Sequence, residues 1–150
     1  METAHAALAI LALILGALQI AGRKSGRRHR LTGRVYVAAM TLTALSSFFL
    51  TGMTGGFSAL HALSVWTLVT LAASIRMVRR GNTIGHGYSM IMLYGGLVTA
   101  GFFAAQRHGL DLPVEAVIPL VAGFWTGWIA FAETIRRRLA RRTGGASLRA

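Results

Sequence analysis

The sequence predicts an all-α membrane protein with five transmembrane helices, in which two parallel-repeat hairpins form a four-helix core and a fifth helix is added. Three observations predict it. The 150 residues are 54% hydrophobic with a mean hydropathy of +0.56, more apolar than an ordinary soluble domain. Long uncharged runs alternate with short basic loops, the pattern of membrane helices. The first four runs also fall into two echoing stretches, His5 to His29 and His61 to His86. Each begins on a histidine, passes through an apolar segment, crosses a basic loop and reaches a second histidine.

The spans are expected at 3–22, 31–52, 57–76, 86–106 and 113–135. Each approaches the roughly 20 residues that cross a hydrocarbon core, and a lone segment in lipid must satisfy its own backbone as a helix. The first run has no basic residue before it, and its only early charge is Glu2; that order fits an uncleaved span better than a cleaved signal peptide. Residues 51–56 are Gly-rich and polar and make an outer turn. Residues 106–112 make the other outer connection and lead into Pro113, a good first residue for the fifth helix, with Glu115 at its positive end. His108 falls in this connection as a solvated residue. A basic tail at 136–150 is expected to continue the helix briefly and then fray, or to lie on anionic headgroups.

The net charge is +12, but the cations gather at the ends of apolar runs, which argues against nucleic acid as a partner. With five spans, every Lys and Arg except Arg107 falls on one side. The positive-inside rule makes that side cytoplasmic and puts the N-terminus outside, as for a multi-pass protein of a bacterial inner membrane. The chain has no cysteine, which excludes disulfides, thiolate metal sites and iron–sulfur clusters.

Two hairpins of the same sense are parallel repeats related by an axis along the membrane normal. On that reading His5 and His61 lie at similar depth near the outer surface and face each other across the axis, while His29 and His86 form the inner pair. Arg34, five residues after His29, leaves the depth of His29 open. Opposed neutral imidazoles are good ligands for haem iron, copper or zinc. Ala9, Ala12 and Gly16 would leave room for a macrocycle on the His5 face, and Gly33, Tyr36 and Met40 lie on the His29 face. Arg30 and Arg34 are placed to pair with propionates. Met40, Met90 and Met92 are candidate soft ligands. The competing reading is plain: interfacial histidines anchor helix ends, and small residues serve helix packing.

Three further features are local. Gly123 and Gly127 form G-x-x-x-G, a signal for close packing against the core or for a homodimer. Trp125 and Trp128 flank it and face lipid or cofactor. Glu133 lies one turn before Arg136 and Arg137 and should pair with them.

The run His29–Tyr36, H-R-L-T-G-R-V-Y, resembles the H-R-x-x-G-R-x-Y signature of an uncharacterised bacterial membrane-protein family, domain of unknown function 2306. His61 in H-A-L-S and His86 with Met90 in H-x-x-x-M are similar to that family too. The resemblance covers the first span through the fourth and implies a multi-helix membrane fold with no established activity. The arrangement is also similar in architecture to the di-haem cores of b-type cytochromes, a likeness that does not itself confer function.

The function expected is a b-type haem protein of membrane electron transfer, with haem b held by His5 and His61 and by His29 and His86. The alternative is a non-enzymatic membrane subunit or assembly factor whose histidines are structural or bind metal transiently. A third reading is a quinone or small-molecule site between the repeats. No acidic relay lines the spans, which counts against a proton-coupled transporter. Whether the chain is an enzyme is left open by its residues.

Overall fold

The computed structural model describes residues 2–24, 26–50, 59–107, 109 and 112–147. The chain forms five helices: α1 Glu2–Ala21, α2 Gly26–Ser47, α3 Ala59–Arg79, α4 Thr83–Arg107 and α5 Val114–Ser147. No strand occurs among the described residues. Stretches of α1, α3, α4 and α5 are long and apolar enough to cross a membrane. The first turns of α2 carry Arg27, Arg28, Arg30 and Arg34, so its apolar part is shorter. The fold therefore holds four to five candidate spans. The expected turn at 51–56 and His108 lie outside the described residues. The chain divides into two compact units, Met1–Ala73 and Ser74–Ala150, with the boundary inside α3.

In the first unit α1 packs along α2. The hairpin is pinned near both ends by polar bonds. At one end His5 meets Ser46, with Nδ1 and Oγ 2.8 Å apart. At the other, Gln19 Nε2 donates to the His29 carbonyl at 2.9 Å. Gly33 makes that second bond possible, because a Cβ there would lie 2.7 Å from Gln19 Nε2. Between the ties Ala12 and Gly16 are buried on α1, and Tyr36, Ala39, Met40, Thr43 and Ala44 on α2. Small residues let two helices approach closely in a membrane. Much of the face expected to leave room for a macrocycle is thus covered by helix packing. Ile10, Ile14 and Leu18 repeat every fourth residue on the exposed side of α1 and suit lipid. Lys24 closes the helix end by donating to the carbonyls of Gln19 and Ile20 at 3.3 and 3.0 Å. Partial burial lowers its pKa from the ordinary lysine value.

In the second unit three residues, Arg80, Gly81 and Asn82, join α3 to α4. Gly81 adopts φ 80°, Asn82 N donates to Met77 O at 2.9 Å, and Gly81 N donates to Val78 O at 3.1 Å, a Schellman ending. Asn82 then caps α4, its Oδ1 accepting from Gly85 N at 2.8 Å. This cap starts α4 at Thr83 and places His86 inside the helix rather than at its first residue, where it was expected.

α4 packs on α5, with Trp128 of α5 lying in the contact. Trp128 Nε1 donates to the Ile91 carbonyl at 3.0 Å, and the indole stacks on Phe124 with ring centroids 5.6 Å apart. Tyr94 and Phe131 tilt against the same ring. Gly95 lies beneath it: a Cβ there would come within 2.6 Å of Trp128 Cδ1 and nearer still to Nε1. At the far end of α4 the Gln106 side chain both donates to Leu112 O, at 3.1 Å, and accepts from Leu112 N, at 3.2 Å. That closes the connection to α5.

Two expectations for α5 change. The helix does not stop soon after 135 but runs to Ser147, with Pro119 inside it. Gly123 and Gly127 do not make the α4 contact: among the described residues nothing lies within 4 Å of a Cβ built at either. That face is open to lipid or to a second copy. The expected ion pairs do form. Arg136 binds Glu133 through two bonds of 2.7 Å and Arg137 adds a third of 2.8 Å.

Candidate functional site

The histidines are the ionisable groups set among apolar spans, so the site is built from them. At one end of the first unit, the last two residues of α2 and the residue after it reach two other helices. Ser46 meets His5 of α1, Ser47 Oγ lies 2.6 Å from Ser64 Oγ of α3, and the Phe48 ring lies 5.8 Å from the His61 ring. Ser64 sits one turn beyond His61. His61 is buried, with 5% of its surface exposed. His5 and His61 thus both meet residues at the C-terminal end of α2 or just past it, through Ser46 and Phe48 respectively.

The protonation of His5 follows from its partner. Ser46 Oγ donates to Thr43 O at 3.0 Å, and a hydroxyl has one proton to give. The assignment that satisfies both bonds puts the His5 proton on Nδ1, donating to Ser46 Oγ. On that assignment Nε2 keeps its lone pair.

His86, in the second unit, reaches the same state by another route. Its Nδ1 lies 2.9 Å from Ser74 Oγ and 3.1 Å from the Ser74 carbonyl. A carbonyl only accepts, so this Nδ1 also carries the proton. Ser74 is 0% exposed, and its hydroxyl donates to the His86 carbonyl at 3.4 Å. Met90 follows His86 by one turn. Ser89, between them, donates to Met77 Sδ at 3.8 Å.

His29 is held differently, by Gln19 on its carbonyl. It belongs to the first unit and His86 to the second. Tyr36 and Met40 are buried on the side of α2 that packs, whereas Arg30 and Arg34 are exposed.

His5 and His86 each have Nδ1 held by a serine of a neighbouring helix, an orientation like that of metal-binding histidines, but they belong to different expected pairs and to different units. The expected lining fits less well, since Ala12 and Gly16 are already buried in helix packing. Among the described residues no three of His, Cys, Asp and Glu gather to hold an ion. The second unit has a cavity of about 100 Å³ lined by Val98, Thr99, Phe102, Leu120, Val121 and Phe124. It contains no ionisable group and is far below the ~300 Å³ at which ligand pockets begin.

Sequence reasoning missed Gln19, Ser46 and Ser74. Gln19 had a signal, as the one amide in the first apolar run. The serines had none, because a serine in a membrane helix is ordinary and only the register between helices selects these two.

A family model described as Predicted membrane protein (DUF2306) matches residues 3–112, nearly all of α1 through the end of α4. No curated protein and no solved structure matches the chain.

Proposed function

This chain belongs to the DUF2306 family of predicted membrane proteins, and on that premise we propose that it is a b-type haem protein of membrane electron transfer. The observation that carries the reading is the shared state of His5 and His86. Each has Nδ1 committed as a donor to a serine of the next helix and Nε2 available with its lone pair. An axial ligand needs that tautomer and that fixed ring. His5 with His61 would hold one haem, and His29 with His86 another. Bound haem iron supplies one-electron redox chemistry. The chain's part is to orient the rings of His5 and His86 through Ser46 and Ser74. A redox partner or quinone would exchange the electrons.

The same bonds favour a second reading, a membrane subunit or assembly factor without enzymatic activity. His5–Ser46 joins α1 to α2, and Ser74–His86 joins α3 to α4, so each bond is also a latch between helices. An absorption spectrum of the detergent-purified protein separates the two. Haem gives a Soret band and sharp α-bands on reduction. A colourless protein, after expression with ample haem, would sink the first reading and leave the second.

We place the protein in a bacterial inner membrane with its N-terminus outside, because the arginines of three segments share one side when five spans are counted. A reporter fused after Ala150 should be active as a cytoplasmic fusion. Activity only on the outer side would overturn the five-span count.

A further inference from the structure

We infer that the exposed face of α2 binds an anionic phospholipid, with its phosphodiester on Arg27, Arg30 and Arg34 and its acyl chains along Leu31, Val35, Leu42 and Leu45. This does not rest on the haem reading. It starts from charge. The first unit contains Arg23, Lys24, Arg27, Arg28, Arg30 and Arg34 at one end and a single acidic residue, Glu2, at the other end of α1. Twenty helical residues separate those ends, about 30 Å. Among the described residues the ion pairs are those of Glu133 with Arg136 and Arg137, both in the second unit. Lys24 is already engaged with the carbonyls that end α1. The arginines of α2 also stand at a helix start with no acid in the first turn, where the dipole is positive and cations repel it. Among the described residues of the first unit no acid stands at that end to supply the counter-charge.

The second observation identifies the source. Arg27, Arg30 and Arg34 follow each other at i, i+3 and i+7, so they form a ladder on one face about 10 Å long. All three are exposed. The same side of the helix continues as an apolar stripe: Leu31, Val35, Leu42 and Leu45 are 60%, 43%, 50% and 45% exposed. The opposite side, with Tyr36, Ala39, Met40, Thr43 and Ala44, is buried. Beyond Arg34, from Val35 to Leu45, the stripe climbs about 15 Å, half of a ~30 Å hydrocarbon core and so one leaflet deep. A free phosphate would use only the ladder. A protein or nucleic-acid partner has no reason to match a cationic head set directly on a membrane-facing stripe. A lipid with an anionic headgroup matches both parts. Arginine suits the task because its planar fork binds phosphate oxygens in pairs.

The test is native mass spectrometry of the full-length protein in detergent, titrated with phosphatidylglycerol. Phosphatidylcholine and inorganic phosphate serve as separate arms. Phosphatidylglycerol should bind and survive millimolar inorganic phosphate, and phosphatidylcholine should bind much more weakly. The triple variant Arg27→Gln, Arg30→Gln, Arg34→Gln should lose affinity on the order of 100-fold, as expected for three headgroup-proximal cations. The triple variant Arg138→Gln, Arg141→Gln, Arg142→Gln, with the same charge loss, should keep it. If the first triple variant fails to fold, Arg30→Gln alone should show a loss of about fivefold. Equal losses in the two triple variants, equal binding of phosphatidylcholine, or displacement by inorganic phosphate would each overturn the inference.

Discussion

Gly95→Ala should destabilise the protein, while Gly96→Ala, one residue away, should stabilise it. The two glycines share a helix and a sequence context, so their intrinsic propensities are alike: alanine is better than glycine in a helix interior by about 1 kcal/mol. They differ in what a methyl group would meet. At Gly96 nothing lies within 4 Å, and the propensity gain stands alone. At Gly95 the methyl would enter the space of the Trp128 pyrrole edge. The indole must then move off the Ile91 carbonyl, which forfeits a hydrogen bond worth about 1 kcal/mol, and the overpacking adds about 1–3 kcal/mol. The net expectation for Gly95→Ala is a loss of about 1–3 kcal/mol after the propensity gain is subtracted. Thermal unfolding in detergent, followed by tryptophan fluorescence and by circular dichroism, reads both variants. If Gly95→Ala melts at or above Gly96→Ala, Trp128 does not hold α4 to α5 in the way described.

That contrast shows where the sequence was legible. Five helices, their order and most of their extents follow from apolar runs between basic loops, because in lipid the length of an apolar segment and the need to satisfy its backbone decide its structure. The Glu133 pairs were legible for the same kind of reason, since i, i+3 and i, i+4 neighbours are fixed within one helix. Contacts between helices were not. The G-x-x-x-G spacing pointed to Gly123 and Gly127, yet the glycine that makes room between α4 and α5 is Gly95, which belongs to no such spacing and is selected by a bulky residue 33 positions on. The start of α4 was missed by three residues because Asn82 acts as a cap only after the Gly81 turn has ended α3. Likewise His5 and His86 were visible as ionisable groups among apolar residues. The tautomer each adopts depends on Ser46 and Ser74, whose roles exist only once helix register is set.

His5→Ala and His61→Ala should abolish the same part of the haem spectrum, and the double variant should be no worse than either single one. Bis-imidazole ligation requires both rings, so removing one removes the shared cofactor. His29→Ala and His86→Ala should make a second matched set and leave the first signal largely intact. The latch reading gives a different pattern for the same four proteins. Without a cofactor, His5→Ala loses one hydrogen bond to Ser46, about 1 kcal/mol. His61→Ala empties a buried site against Phe48 and costs more, about 2–4 kcal/mol by analogy with other large-to-small core changes. Those costs concern different partners and should add nearly in full. Ser46→Ala sharpens the distinction. It leaves His61 and all four rings in place but releases the His5 Nδ1 proton from its acceptor, so a ligated haem should shift in potential and in the splitting of its low-spin electron paramagnetic resonance signal. Under the latch reading Ser46→Ala should simply repeat the stability loss of His5→Ala. Unequal spectral losses in His5→Ala and His61→Ala would separate the two rings and remove the paired ligation on which the haem reading depends.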